Sequence, residues 1–226
     1  MRRQNEDRFL RDETLRAFGV ADGVGGLPGG AKAAEAAVEG ITKALARHRP
    51  QRAAQLVPLV LHVNEAVNDL GTDISPGVGI ATTLTFGICT AEELLLAHVG
   101  DSRCYLWRRG RFTMLTEDHS VENEARHRRA RGEFAGYADR YRNALTRCIG
   151  QPTHPEVDVS AHDLAVGDLY LFATDGITRV LGDHEIAEVV GGKGTLDERL
   201  AELIDRANQR GGPDNATAVL VSVEAR

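Results

Sequence analysis

The sequence predicts an α+β fold, a β-sandwich of mainly antiparallel strands flanked by helix pairs. Three observations support it. Short apolar segments in the middle of the chain are joined by turns of three or four residues, and connections this short join only antiparallel neighbours. Several strands are apolar on consecutive positions, such as Leu94-Leu95-Leu96-Ala97 and Leu169-Tyr170-Leu171-Phe172-Ala173, as expected where a second sheet covers one face and helices the other. Stretches with helical apolar spacing come in two pairs, one early and one late in the chain.

Arg8 to Leu10 and Thr14 to Asp22 read as the first two strands, with Arg11-Asp12-Glu13 as their turn. Gly23-Val24-Gly25-Gly26-Leu27-Pro28-Gly29-Gly30 is too glycine-rich for regular structure. Ala31 to Arg47 and Ala53 to Leu70 form the first, antiparallel helix pair. Ala81 to Cys89, Leu94 to Val99, Arg103 to Trp107 and Phe112 to Leu115 are strands, with turns at Thr90-Ala91-Glu92-Glu93, Gly100-Asp101-Ser102 and Arg108-Arg109-Gly110. Val121 to Arg142 is rich in arginine and glutamate and reads as a surface flap, its plain alternative being a solvated helix. Strands Glu156 to Ser160 and Leu169 to Ala173, helices Asp183 to Val190 and Thr195 to Gln209, and a last strand Ala216 to Glu224 complete the chain.

The 226 residues, 42% hydrophobic, suffice for one sizeable core and one domain spanning 1–226. A formal net charge of -6 argues against a nucleic-acid partner, which would call for a basic face. Cys89, Cys104 and Cys148 are odd in number and widely spaced, so they read as reduced core thiols. With no membrane-length apolar run and no signal-peptide pattern near Met1, the expectation is a cytoplasmic protein without a membrane partner.

Acids punctuate the strand ends. Ala17-Phe18-Gly19-Val20-Ala21 ends at Asp22-Gly23, Leu94 to Val99 at Gly100-Asp101, and Leu169 to Thr174 at Asp175-Gly176. Gly212-Pro213-Asp214 precedes the last strand, and Asp7 opens the first. Aspartate is disfavoured within strands. For any single site, turn chemistry is the simpler explanation, since Asp-Gly is a common turn pair. For five sites that reading weakens, because sandwich strands bring their ends to shared edges. Carboxylates gathered there would not all stay ionised without cations, and hard divalent ions prefer oxygen ligands. Two such ions, roughly 3.5–4 Å apart, suit phosphate-ester hydrolysis by activating one bridging water.

The ordered segments resemble the PPM (PP2C-like) metal-dependent protein phosphatases in their bacterial form. They are Arg2-Arg3-Gln4-Asn5-Glu6-Asp7, Asp22-Gly23-Val24-Gly25-Gly26, Gly79-Ile80-Ala81-Thr82-Thr83, Val99-Gly100-Asp101-Ser102-Arg103, Leu115-Thr116-Glu117-Asp118-His119-Ser120, Leu145-Thr146-Arg147-Cys148-Ile149-Gly150, Thr174-Asp175-Gly176 and Gly212-Pro213-Asp214-Asn215-Ala216-Thr217. The resemblance implies a four-layer αββα sandwich. It implies two core Mn²⁺ or Mg²⁺ ions held directly or through water by Asp7, Asp22, Asp175 and Asp214 with the Gly23 carbonyl, and Glu6 behind them holding water. Asp101 and Asp175 would form a third, weaker site. Arg2 matches the phosphate-binding arginine, whose fork takes two phosphate oxygens. The implied reaction is hydrolysis of phosphoserine and phosphothreonine in proteins, with Arg2, Asp22 and Asp175 as catalytic residues. The substrate would be the phosphoprotein product of a serine/threonine kinase, and the enzyme a monomer.

Three departures stand out. Arg2 follows Met1 directly, where the family has a further strand; Val24 replaces the histidine of eukaryotic members; and the flap is short and arginine-rich. His119 is expected to make a structural hydrogen bond, and His98 and His62 to be satisfied core or boundary residues. Trp107 and Tyr105 are expected to pack. Competing readings are a pseudophosphatase or phosphoprotein-binding module, which would be favoured by the loss of an acid, and a small-molecule phosphatase on the same fold. An aspartyl-nucleophile phosphotransferase is disfavoured by the antiparallel hairpins and by the absence of an Asp-x-Asp pair after the first strand.

Overall fold

The computed structural model describes residues 4–26 and 28–225. Among them, β1 (Asp7–Asp12), β2 (Ala17–Asp22), β3 (Leu84–Cys89), β4 (Glu93–Val99) and β7 (Asp158–Asp163) form one sheet, in the order β1-β2-β3-β4-β7. β5 (Arg103–Arg108), β6 (Arg111–Met114), β8 (Leu169–Ala173) and β9 (Ala218–Ser222) form the other, in the order β6-β5-β8-β9. Every pairing is antiparallel.

Side-chain alternation explains the consecutive apolar runs. In β4, Leu95, Ala97 and Val99 join a core with Ala33, Ala37, Ile41 and Leu45 of helix α1 (Gly30–Arg47) and Val60, Val63 and Val67 of α2 (Leu56–Ile74). Leu94 and Leu96 point the other way, against Cys104, Tyr170 and Phe172 of the second sheet. In β8, Leu169, Leu171 and Ala173 face α5 (Asp183–Val190) and α6 (Leu196–Gln209), meeting Ile186, Val190 and Leu203. Three cores therefore separate four layers, in the expected αββα order. Cys89, Cys104 and Cys148 are free thiols, and burial raises the pKa of each. Among the described residues, no helix is long and apolar enough to cross a membrane.

The structure corrects several boundaries. The first hairpin turns over residues 13–16 rather than 11–13: Asp12 Oδ1 accepts from Leu15 N at 2.8 Å and Arg16 takes a φ of 53°. The second helix starts at Leu56 after a 3₁₀ turn (Ala53–Gln55). Gly100-Asp101-Ser102 is not a hairpin turn; it carries the chain from β4 in one sheet to β5 in the other. Hydrogen bonds set that path: Thr83 Oγ1 to Ser102 Oγ at 2.8 Å, Thr85 Oγ1 to the Ser102 carbonyl at 3.0 Å, and His119 N to the Gly100 carbonyl at 2.7 Å. After β8 the chain enters a one-turn helix, α4 (Asp175–Thr178), that the apolar pattern did not reveal. The expected flap opens with α3 (Val121–Ala130), capped where Ser120 Oγ accepts from Asn123 N.

Phe172 is fully buried between the sheets. Phe172→Ala is expected to cost about 3–5 kcal/mol. In urea, the unfolding midpoint should fall with little change in slope; an unchanged midpoint would contradict the four-layer packing.

Candidate metal centre and active site

The candidate site lies on the seam between the sheets. Asp7 and Asp22 are directly opposed residues of the β1–β2 pair, so their side chains share one face at the strand ends. β2 is held there by Thr83, whose N–H donates to the Asp22 carbonyl at 2.8 Å and whose Oγ1 accepts from Asp22 N at 2.9 Å. Thr82 Oγ1 also donates to the Asp22 carbonyl at 2.8 Å.

The second sheet brings Asp175 and Asp214. Thr174 Oγ1 donates to Asp7 Oδ2 at 2.9 Å, tying the end of β8 to β1. It also accepts from Thr217 N at 3.0 Å. Glu6 N donates to Asn215 Oδ1 at 3.0 Å, so the loop before β9 is tied to the start of β1. The two Asp-Gly pairs have a packing reason. A Cβ on Gly176 would lie 1.9 Å from the Asn215 carbonyl oxygen, and one on Gly23 would lie 2.4 Å from the Gly30 backbone. Both glycines permit the backbone contacts that bring acid-bearing segments together.

The resulting cleft, about 400 Å³, is lined by Asp22, Asp101, Asp175, Asp214, Asn143 and Arg179 among others. Asp7 lies beneath it, 4% exposed, with its Oδ1 buried and without a hydrogen-bond partner. Burial drives the Asp7 carboxyl up to about 6; hydrogen bonds with Thr217, Thr174 and Asp22 oppose the rise and the Asp175 charge adds to it. Asp22 is pushed well above the usual carboxylate range by burial, and then by the charges of Asp7, Asp175, Asp101 and Asp214. Asp101 rises to about 7, again through burial first and then Asp175, with Arg179 opposing. Four acids from distant segments thus act on Asp22.

Among the described residues, no group of three or more Asp, Glu, His or Cys side chains is already drawn into metal-ligand geometry. The donor set still fits hard divalent cations. It is all oxygen, it includes a buried carboxylate oxygen lacking a partner, and burial raises the pKa of Asp7 and Asp22.

A family profile described as protein phosphatase 2C matches residues 3–222. The chain belongs to that family. Serine/threonine phosphatase stp of Listeria monocytogenes is 30% identical over 98% of this chain and 91% of its own. The solved serine/threonine phosphatase of S. agalactiae is 31% identical, covers 99% of this chain and 95% of its own, and has a TM-score of 0.87. The catalytic domain of the phosphatase PstP, solved in complex with 2 manganese ions, is 27% identical, covers 100% of this chain and 94% of its own, and has a TM-score of 0.82.

Within this protein phosphatase 2C fold, Asp7, Asp22, Gly23, Asp101, Asp175 and Asp214 converge with Glu6 as the sequence suggested, and Arg2 lies outside the described residues. His98 is buried and satisfied: Nε2 donates to the Glu117 carbonyl at 2.9 Å, and Nδ1 lies 2.8 Å from Thr85 Oγ1. His119 Nδ1 accepts from Gly100 N at 3.1 Å, which leaves the proton on Nε2, 3.2 Å from Asp158 Oδ2. It braces the turn that carries Asp101. Flap arginines are occupied locally: Arg128 and Arg131 pair with Glu133, and Arg142 with Glu122. Sequence reasoning missed Arg179, whose guanidinium pairs with both Asp101 and Asp175. Its signal was the spacing Asp175-x-x-x-Arg179 on a helical turn, hidden because the segment looked like a strand end.

Raised carboxyl pKa values set a pH dependence. Each of these acids contributes stability that is fully present below its unfolded value near 3.8 and lost as pH rises through the folded values of about 6 for Asp7 and about 7 for Asp101. A binding cation must displace those protons. The manganese-induced rise in Tm is therefore expected to grow between pH 5 and pH 8, with proton release on binding by calorimetry. A rise in Tm that is flat with pH would contradict this electrostatic picture.

Proposed function

We propose that this member of the protein phosphatase 2C family hydrolyses phosphoserine and phosphothreonine esters in proteins, with Mn²⁺ or Mg²⁺ as its cofactor. The observation that carries the proposal is the convergence of Asp7, Asp22, Asp101, Asp175 and Asp214, acids from five separate segments, the other four of which raise the affinity of Asp22 for positive charge. The named activities of relatives sharing 30–31% of the sequence over nearly the whole chain support the reaction class. The two manganese ions of PstP support the cofactor.

In this reading Asp7, Asp22, Asp175 and Asp214, with the Gly23 carbonyl, would hold two cations, and Glu6 would hold water behind them. When bound, two divalent ions supply Lewis-acid activation of water and neutralise charge developing on the phosphoryl group. The chain's own residues do the rest. Asp7 and Asp22, whose pKa values burial raises, would bind the ions as carboxylates. The Thr174 hydroxyl keeps Asp7 Oδ2 oriented, and Thr83 fixes the backbone of Asp22. Arg2 takes the non-reacting phosphate oxygens. Val24 stands in the Asp-Gly-x-Gly-Gly loop and offers no proton, so the seryl or threonyl leaving group takes its proton from water. The setting is the cytoplasm and the substrate a kinase product. A binding module without turnover is not favoured, since every acid of the set is retained.

Asp22→Asn and Asp175→Asn are each expected to lower kcat on a phosphothreonine peptide at least 100-fold, on the order of 3 kcal/mol of barrier, with the melting profile retained. Chelator should abolish wild-type turnover and manganese restore it. Undiminished turnover in chelator, or near-normal rates in both variants, would sink the proposal. Arg2→Ala should raise KM more than it lowers kcat; an unchanged KM would remove Arg2 from phosphate binding.

A further inference from the structure

Arg179 pairs with Asp101 and Asp175, the two acids that the resemblance assigns to a third cation. The one-turn helix α4 places it four residues after Asp175, and Arg179 N donates to the Asp175 carbonyl at 2.9 Å. From there its guanidinium spans two carboxylates, one at the start of α4 and one on the step from β4 to β5. One terminal nitrogen lies 2.7 Å from Asp175 Oδ2, and the other lies 2.5 Å from Asp101 Oδ2. The second nitrogen also reaches the Asn143 carbonyl at 3.4 Å. Asp101 and Asp175 are buried, whereas the arginine side chain is 38% exposed along the cleft wall.

We propose that Arg179 is a built-in cation that fills the space between Asp101 and Asp175, so that this chain binds two divalent ions and excludes a third. The proposal rests on the metal-dependent reading above and narrows it. A guanidinium is positively charged at every relevant pH and offers donors in a planar fork. Here the fork engages one oxygen of a carboxylate on each side, Asp101 Oδ2 and Asp175 Oδ2, and places its positive charge between the two acids. A divalent ion entering beside it would meet a fixed like charge at close range in a partly buried site. One entering in its place would have to break two charge-assisted hydrogen bonds and move the side chain out of the cleft. The third site of the sequence reading is therefore the one part of the expected metal set that the observed side chains do not fit.

The test counts metal. Purified protein stripped with chelator is titrated with Mn²⁺ into the millimolar range, and bound metal is measured by calorimetry and by elemental analysis after equilibrium dialysis. Wild type is expected to bind two ions per chain. Arg179→Met, which keeps the aliphatic stem and removes the charge, should bind a third, weaker ion, and adding Asp101→Asn should abolish that gain. Arg179→Lys, which keeps the charge, should stay at two. Melting in chelator gives a second readout. Arg179→Met should melt below wild type, because two buried carboxylates lose their counter-charge, and manganese should raise its Tm by more than it raises the wild type's. Three ions on wild type, with the third lost in Asp101→Asn, would overturn the proposal, as would Arg179→Met remaining at two ions with an unchanged melting profile. Wild type binding no manganese would instead defeat the metal-dependent reading itself, whatever the behaviour of Arg179.

Discussion

The structure depends on concentrated negative charge being kept in a place where water is scarce. Asp7 and Asp22 face each other across a strand pair, and Asp175, Asp101 and Asp214 arrive from the other side of the seam. Carboxylates so placed repel one another and lose hydration, so Asp7, Asp22 and Asp101 are driven toward their protonated forms. The fold tolerates this because of hydroxyls and backbone amides: Thr174 donates to Asp7, Thr83 anchors Asp22, and Asn215 meets the backbone of Glu6. A site in this condition is primed for divalent cations, since each ion that enters relieves repulsion already present in the folded chain.

Much of this was legible in the sequence, for a physical reason. A strand covered on both faces must be apolar at every position, and β4 and β8 announce their burial in that way. An aspartate at the end of such a strand is conspicuous, and glycine beside it signals a backbone contact, as Gly23 and Gly176 make. The helices of both outer layers followed from apolar spacing, and α5 was delimited to the residue as Asp183–Val190.

What escaped detection is equally physical. Local pattern cannot tell a hairpin turn from a step between sheets, because both are short and polar. Gly100-Asp101-Ser102 proved to be such a step, decided by hydrogen bonds to Thr83, Thr85 and His119, residues distant along the chain. Nor does a helix of a single turn leave enough periodicity to be seen. With α4 hidden, nothing local placed Arg179 between Asp175 at the end of β8 and Asp101 on the step between the sheets. The histidines were simpler, since a histidine within an apolar strand is satisfied by its nearest polar neighbours, as His98 is.

The step from β4 to β5 has a mechanical side. Asp7 and Asp22 ride on one sheet, Asp175 and Asp214 flank strands of the other, and Asp101 sits on the link between them. An ion held by acids of both groups would act as a rivet through the laminate, resisting shear of one sheet over the other. Side chains such as Val20, Leu96, Tyr170 and Phe172, which fill the layer in between, would then be clamped by chemistry at its rim. Rigidity of the inner layer and occupancy of the cleft thus become a single property of the molecule.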